Sequence, residues 1–485
     1  MLKKTSHFMR EANFIGGAWV GADTGATIDV VNPATRQTIG TVPKCGRAET
    51  RRAIKAAEEA FHSWKKTSAN DRAKLLRKLH DAIMDNQEAL AELLVMEQGK
   101  PLAEARGEVG MSAAYVLWYA EEGRRTYGDV VPSPWADRRI LVTKEPVGVI
   151  GAITPWNFPS SMLARKLGPA LAAGCTAVAK PASQTPYSGL AWGVLAEEAG
   201  FPAGVVNIVT GSASEIGDEL TENPLVRKIT FTGSTEVGKT LIRKSAGTVK
   251  KVSMELGGNA PFLVFDDADL ERAVAGAVAA KYRNSGQTCV CTNRFFVQEG
   301  VYDRFVEKLV EATERLKVGS GLEEGTQQGP LIDEKAVEKV EELVADAAEK
   351  GGKVVAGGKR HSLGGTFFEP TVIAEASPEM RFMQEEIFGP VSPIFRFNNE
   401  EEAVRLANDT AFGLACYFYT ADLGRAFRVM EGLRYGLIGV NEGIITTVEA
   451  PFGGLKESGL GKEGGHQGIE DYLDTKYVCI GGLGL

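Results

Sequence analysis

Thr176-Ala177-Val178-Ala179-Lys180-Pro181-Ala182-Ser183-Gln184-Thr185-Pro186 passes from an apolar run into a turn bounded by prolines, and the Ala-rich segment 188–199 follows with helical composition. The unit recurs. Val205-Val206-Asn207-Ile208-Val209 reads as a strand before a short helix over 216–220, and Ile229-Thr230-Phe231-Thr232 as a strand before a helix over 236–246. Strands separated by single helices pair in parallel, because the crossover carries the chain back to the same end of the sheet. The chain therefore reads as α/β, with a Rossmann-like doubly wound sheet. The alternation resumes over 261–265, 270–281, 295–297 and 302–316, so a second α/β domain of comparable size is expected. Upstream, 48–64 and 70–98 carry apolar residues at three- and four-residue spacing and are read as two long helices, while 138–144 and 147–153 are read as strands.

At 485 residues the chain is too long for one small core, and two or three domains are expected. With 55 basic and 63 acidic residues the formal charge is -8 and no basic stripe stands out, which argues against a nucleic-acid partner. Six cysteines, at 45, 175, 289, 291, 416 and 479, are too sparse for a disulfide framework and point to a reducing compartment. The first ten residues lack the apolar core of a signal peptide, and small-apolar stretches such as 274–280 are far too short to span a bilayer. A cytoplasmic location with no membrane partner is the expectation. Five scattered histidines and the Cys289/Cys291 C-x-C spacing offer no zinc pattern, so no metal is expected.

Two glycine motifs compete for attention. Gly233-Ser234-Thr235-Glu236-Val237-Gly238-Lys239-Thr240 satisfies the P-loop spacing between a predicted strand and helix, and Phe262-Leu263-Val264-Phe265-Asp266 imitates the strand and Asp that hold Mg²⁺. A nucleotide triphosphatase is one reading. Against it, the Asp follows too soon, and the motif leaves the region around Cys289 unexplained. The shared physics remains: a Gly-rich turn at a helix N-terminus is an anion site, suited to a ligand phosphate. Gly459-Leu460-Gly461-Lys462-Glu463-Gly464 matches G-x-G-x-x-G, but the stretch to Leu485 is too short for the βαβ unit that fingerprint needs, so it is read as a loop.

The chemistry gathers elsewhere. Asn284-Ser285-Gly286-Gln287-Thr288-Cys289-Val290-Cys291 presents a thiol among Gly and polar residues before a strand, where it can reach a ligand; a buried, inert cysteine is the competing reading. Met254-Glu255-Leu256-Gly257-Gly258-Asn259 places one carboxylate before a Gly pair, as a general base or as a helix-end Glu. In Thr154-Pro155-Trp156-Asn157-Phe158-Pro159, Asn157 reads either as an oxyanion donor or as a turn residue. Lys180 and Ser183 stand at the C-terminal end of a parallel strand, where doubly wound sheets bind ligands.

Taken together, the segments 154–159, 180–186, 231–238, 255–261, 286–289, 385–390 and 451–454 resemble the aldehyde dehydrogenase superfamily, in order and over nearly the whole chain. The stretch 283–291 and the tail 468–479 resemble most the succinate-semialdehyde dehydrogenases. The resemblance implies a cysteine nucleophile at Cys289, an oxyanion site from Asn157 and the Cys289 backbone N–H, and a general base at Glu255 that activates water against the thioester. It implies a nicotinamide cofactor, NADP or NAD, held by Trp156, Lys180, Ser183, Gly233, Ser234, Leu256, Glu386 and Phe388. Ser183 beside Lys180 does not repel a 2′-phosphate as an acid there would, so NADP is expected to serve at least as well as NAD. Arg165 and Arg283 match carboxylate-binding arginines, and Thr446 stands where the group commonly has Ser, which leaves succinate and glutarate semialdehydes both open. Cys291 is a candidate partner for a reversible disulfide with Cys289. The resemblance further implies a cofactor domain (1–125 and 146–257), a catalytic domain (258–466) and a β oligomerisation arm (126–145 and 467–485) that makes a homodimer or homotetramer. A non-catalytic relative is the other alternative; retention of Cys289, Glu255 and Asn157 speaks against it.

Overall fold

The computed structural model describes residues 2–483. Five parallel strands form the middle of the first sheet: β1 (Val149–Ile153), β2 (Thr176–Lys180), β3 (Val206–Ile208), β4 (Val226–Thr232) and β5 (Lys251–Glu255). They lie in the order β5-β4-β1-β2-β3. Every residue of β2 is buried, which is why its sequence is a continuous apolar run rather than an alternation. The sheet is not parallel throughout. The hairpin Asn13–Ile15/Ala18–Val20 adds antiparallel strands beside β3, and Gly459–Leu460 adds one beside β5, so part of the loop expected over 459–464 is an edge strand.

The second sheet has six parallel strands, β6 (Ala260–Val264), β7 (Thr292–Gln298), β8 (Thr371–Ala376), β9 (Val391–Phe397), β10 (Ala415–Tyr419) and β11 (Leu437–Val440), in the order β8-β9-β7-β6-β10-β11. An antiparallel strand, Lys353–Ala356, closes the edge beside β8. Both sheets bury apolar clusters on each face, as helix-covered parallel sheets must. A third sheet joins Asp129–Val131, Arg139–Pro146 and Leu473–Ile480, the last two paired antiparallel from Leu473↔Pro146 to Ile480↔Arg139. Of the segments expected to form domains and arm, Met1 and residues 484–485 lie outside the described residues.

The helix expected over 70–98 is two helices, Ala69–Asp85 and Gln87–Gln98. Asn86 breaks it: its side-chain amide donates to the Ala82 carbonyl at 2.8 Å, one of the local bonds by which Asn competes with helix. A further helix, Leu102–Glu122, has no counterpart among the sequence expectations, because Gly107, Gly110 and buried Glu108 interrupt its apolar face. The P-loop reading fails on geometry. Only Gly233 and Ser234 separate β4 from the helix Thr235–Ser245, too few for a phosphate-wrapping loop. Lys239 instead pairs with Glu457 at 2.7 Å on the surface, and the Phe262–Asp266 segment belongs to the other sheet.

In the first sheet the strand order reverses between β1 and β4, and ligands of doubly wound sheets bind beyond the carboxyl ends of strands at such a point. The carboxyl ends of β1, β2, β4 and β5 deliver Trp156 and Asn157, Lys180, Gly233 and Ser234, and Glu255 with Leu256 to that one edge.

Candidate active site

Cys289 reaches this edge on a strained loop. The helix Leu270–Tyr282 gives way at Arg283, and Asn284 (φ 51), Ser285 (φ 57) and Gly286 (φ 76) are left-handed in succession. Such backbone is costly for residues with a Cβ, and a Cβ at position 286 would stand 2.2 Å from the Gly389 carbonyl oxygen. Hydrogen bonds to distant segments hold the loop. The Asn284 N–H donates to Glu104 Oε2 at 2.8 Å, its Oδ1 accepts from Gln98 Nε2 at 2.9 Å, and Ser285 Oγ donates to the Gly329 carbonyl at 2.9 Å. Gln287 Oε1 accepts from the Ile332 N–H at 2.9 Å. The Cys289 thiol is pushed up to about 12, by burial first and then by Glu386 and Glu255, with Arg165 pulling the other way.

Asn157 stands over this loop. Its Nδ2 donates to the Gln287 carbonyl at 3.0 Å, which leaves its second amide hydrogen uncommitted. Its own carbonyl accepts from Asn284 Nδ2 at 3.0 Å and from Lys100 Nζ at 2.7 Å. Glu255, at the end of β5, is 3% exposed, and its Oε2 has no hydrogen-bond partner. Burial, and then the neighbouring Glu463, raise its carboxyl well above the usual range, while Lys166 and Arg165 oppose the rise. Glu463 is itself tied to Lys166 Nζ at 2.5 Å.

Two cavities meet at Cys289. The larger, about 360 Å³, is walled by Trp156, Gly233, Ser234, Leu256, Glu386 and Phe388, among others. Trp156 and Phe388 meet edge to face at 5.5 Å, and Phe388 is left-handed at φ 54, a conformation unusual for a bulky residue. Glu386 uses one oxygen to accept from the Gly258 N–H at 3.0 Å, and burial pushes its carboxyl up to about 7. Lys180 and Ser183 do not line this cavity. Lys180 is buried, donating to the Pro181 carbonyl at 3.1 Å with its amine pushed down to about 8 by burial, and Ser183 is half-buried on the turn that follows.

The smaller cavity, about 250 Å³, is lined by Arg165, Arg283 and Thr446 as well as by Cys289. Arg165 is 3% exposed and lies between the rings of Phe452, at 4.2 Å, and Tyr115, at 5.0 Å. Its Nε and Nη1 have no hydrogen-bond partner, and Glu463 is 3.8 Å away. Arg283 is half-buried with its guanidinium 5.2 Å from the Phe158 ring. Cys291 shares a small void with Arg283 and Thr446, and its thiol donates to the Lys281 carbonyl at 3.4 Å. Sequence reasoning missed Glu463, Lys166, Lys100 and Glu108. The sequence carries no clear signal for them: Lys166 follows Arg165 directly, and only the fold shows that every residue of the helix Pro159–Ala173 is buried.

Comparison with known proteins agrees with this arrangement. Residues 19–478 match the model of the aldehyde dehydrogenase family. A glutarate-semialdehyde dehydrogenase of Pseudomonas aeruginosa is 58% identical, with 100% of each chain covered. The NADP(+) succinate-semialdehyde dehydrogenase of Escherichia coli (strain K12) is 57% identical over 98% of this chain and 99% of its own. A solved succinate-semialdehyde dehydrogenase from Burkholderia pseudomallei superposes with a TM-score of 0.97 at 57% identity, covering 98% of both chains. Among the described residues no helix is long and apolar enough to cross a membrane. A thiol and a carboxamide in one cavity wall, with a buried carboxylate close enough to raise the thiol's proton affinity, have their explanation in descent: the chain belongs to the aldehyde dehydrogenase family.

Proposed function

We propose that this enzyme oxidises an aldehyde bearing a carboxylate at its far end, succinate semialdehyde before glutarate semialdehyde, to the corresponding diacid with NADP or NAD. The observation that carries the substrate class is Arg165: a buried guanidinium in the wall of the cavity that ends at Cys289, with only a 3.8 Å ion pair to Glu463 to offset its charge. A guanidinium in that wall can donate to a carboxylate in the cavity, and the charge-assisted bond offsets the cost of burying the cation. Arg283 supplies a second cation to the same cavity, and Thr446 lines it as well. The glutarate reading rests on the same two arginines and on the P. aeruginosa relative.

In the proposed mechanism Cys289 adds to the aldehyde carbon. The oxygen that gains charge is met by the free hydrogen of Asn157 Nδ2 and by the Cys289 backbone N–H, donors fixed in place before the charge develops. Glu255, with Oε2 free, takes a proton from water as the thioester is hydrolysed; its raised proton affinity makes it a stronger base than an ordinary carboxylate. The larger cavity fits the cofactor. Gly233 and Ser234 precede a helix N-terminus suited to pyrophosphate, and the second oxygen of Glu386 remains for a ribose hydroxyl. Lys180 and Ser183, beyond the cavity at the same sheet edge, would hold the adenosine ribose. When bound, the nicotinamide supplies the hydride acceptor.

The decisive test is turnover. Protein mixed with succinate semialdehyde and NADP or NAD should reduce the nicotinamide, with kcat/KM well above that for butanal, a neutral aldehyde of the same length; equal values would remove the substrate assignment. We further propose the division into cofactor domain (1–125, 146–257), catalytic domain (258–466) and arm (126–145, 467–485). The arm exposes Tyr127, Val130, Trp135 and Tyr477, a set suited to pairing between copies in a dimer or tetramer, which sedimentation would distinguish. The six free cysteines suit a reducing, cytoplasmic setting.

A further inference from the structure

Lys100 and Glu108 form a fully buried ion pair, Nζ to Oε2 at 2.5 Å, with both side chains at 0% exposure. Burying two charges costs several kcal/mol per ion, roughly, and well-packed apolar residues often replace such pairs without loss of stability. Stability therefore does not account for them, and their aim does. The ammonium donates to the Asn157 carbonyl at 2.7 Å and lies 3.8 Å over the ring of Phe158, the next residue. Glu108 Oε1 accepts from the N–H groups of Ser160 at 2.9 Å and Ser161 at 3.2 Å, open donors in the first turn of the helix Pro159–Ala173 that carries Arg165. One ammonium thus pins the peptide between Asn157 and Phe158 at its oxygen and, through Glu108, fixes the helix that continues from it.

We propose that Lys100 is a positioning residue whose task is to hold the Asn157 carboxamide where charge develops on the aldehyde oxygen; this rests on the reading of Asn157 as the oxyanion donor. Without Lys100 the Asn157 carbonyl keeps only the Asn284 Nδ2 bond, and rotation of that peptide swings the side chain away from Cys289. Misplacement of a reacting group by about 1 Å costs about 100-fold in rate.

The experiment is a double-mutant cycle on the single-turnover rate of nicotinamide reduction, with enzyme in excess over succinate semialdehyde, for wild type, Lys100→Met, Asn157→Ala and the double variant. Expected are a 10- to 100-fold fall for Lys100→Met, roughly, a dissociation constant for NADP within about twofold of wild type, and a double variant no slower than Asn157→Ala alone. If Lys100→Met slows the step as much in the Asn157→Ala background as in wild type, or if its loss appears as weaker NADP binding, the positioning role is overturned while Asn157 keeps its own. A wild-type rate in Asn157→Ala overturns the oxyanion reading, and the Lys100 proposal with it. Should Lys100→Met not fold, Lys100→Gln enters the same cycle.

Discussion

Replacing Arg165 with Met should remove the preference for a carboxylate while leaving the rest of the chemistry in place. Met fills the slot between Phe452 and Tyr115 without the guanidinium. It orphans no charge, because Glu463 keeps its bond to Lys166 at 2.5 Å. Within the protein the substitution removes the 3.8 Å ion pair to Glu463 and the cation over two rings, but no hydrogen bond from Nε or Nη1. A hydrogen bond to a charged group is worth about 1.5–3 kcal/mol, which corresponds to a 10- to 150-fold fall in kcat/KM for succinate semialdehyde. Arg165 also opposes the rise in proton affinity of Cys289 and Glu255, so its loss moves both further up and shifts the pH profile to the alkaline side for every aldehyde. The quantity to measure is therefore the ratio of kcat/KM for succinate semialdehyde to that for butanal across pH. It should fall by the full factor at each pH. An unchanged ratio, with both substrates losing equally, would refute the reasoning and leave Arg165 as part of the electrostatic frame around the thiol.

Four further outcomes are expected. Glu255→Gln should complete the first turnover and then stall as thioester, and the rising limb of the wild-type kcat–pH profile should lie above the usual carboxylate range; a native steady-state rate in the variant excludes Glu255 as base. With the Cys289 thiol near 12, iodoacetamide alkylation of the cofactor-free enzyme should climb with pH and show no plateau between pH 7 and about 10, as read by mass spectrometry; a plateau near neutral pH would mean the thiol is already ionised. Ser183→Glu should lower the NADP over NAD ratio of kcat/KM by about tenfold or more, equivalent to about 1.4 kcal/mol of repulsion, and an unchanged ratio removes the 2′-phosphate argument. Mild peroxide should inactivate wild type reversibly but Cys291→Ala irreversibly, whereas identical loss and identical recovery with thiol dispose of the disulfide switch.

The sequence is most transparent where burial is two-sided. Parallel strands covered by helices on both faces have no polar alternation, so β2 appears as an apolar run, and the residues at the ends of β2 and β4, Lys180, Gly233 and Ser234, read as ligand contacts. Cys289 and Asn157 are legible because Gly and Pro mark the loops that carry them. Asn86 is not, since one side-chain bond to the Ala82 carbonyl decides between one helix and two. Glu463 and Lys166 are hidden for a different reason. They are 297 residues apart in sequence, and each alone looks like an ordinary surface charge until folding places both against Glu255. Lys100 and Glu108 likewise acquire meaning only from the Asn157 carbonyl and the loop they hold.

Cys289 belongs to the walls of both cavities, and this governs traffic through the enzyme. With the aldehyde in the smaller cavity and the cofactor in the larger, as proposed, the two would approach the sulfur from different sides and need not pass one another. On that assignment an acyl group held on the thiol would fill the smaller cavity and leave the larger one open. On the proposed assignment the wider passage would let the cofactor leave while the acyl group is still attached, and would admit water to the thioester. Chemistry and ventilation share a single atom, so a ligand that plugs the wide passage after the first turnover would trap the enzyme in its acylated form.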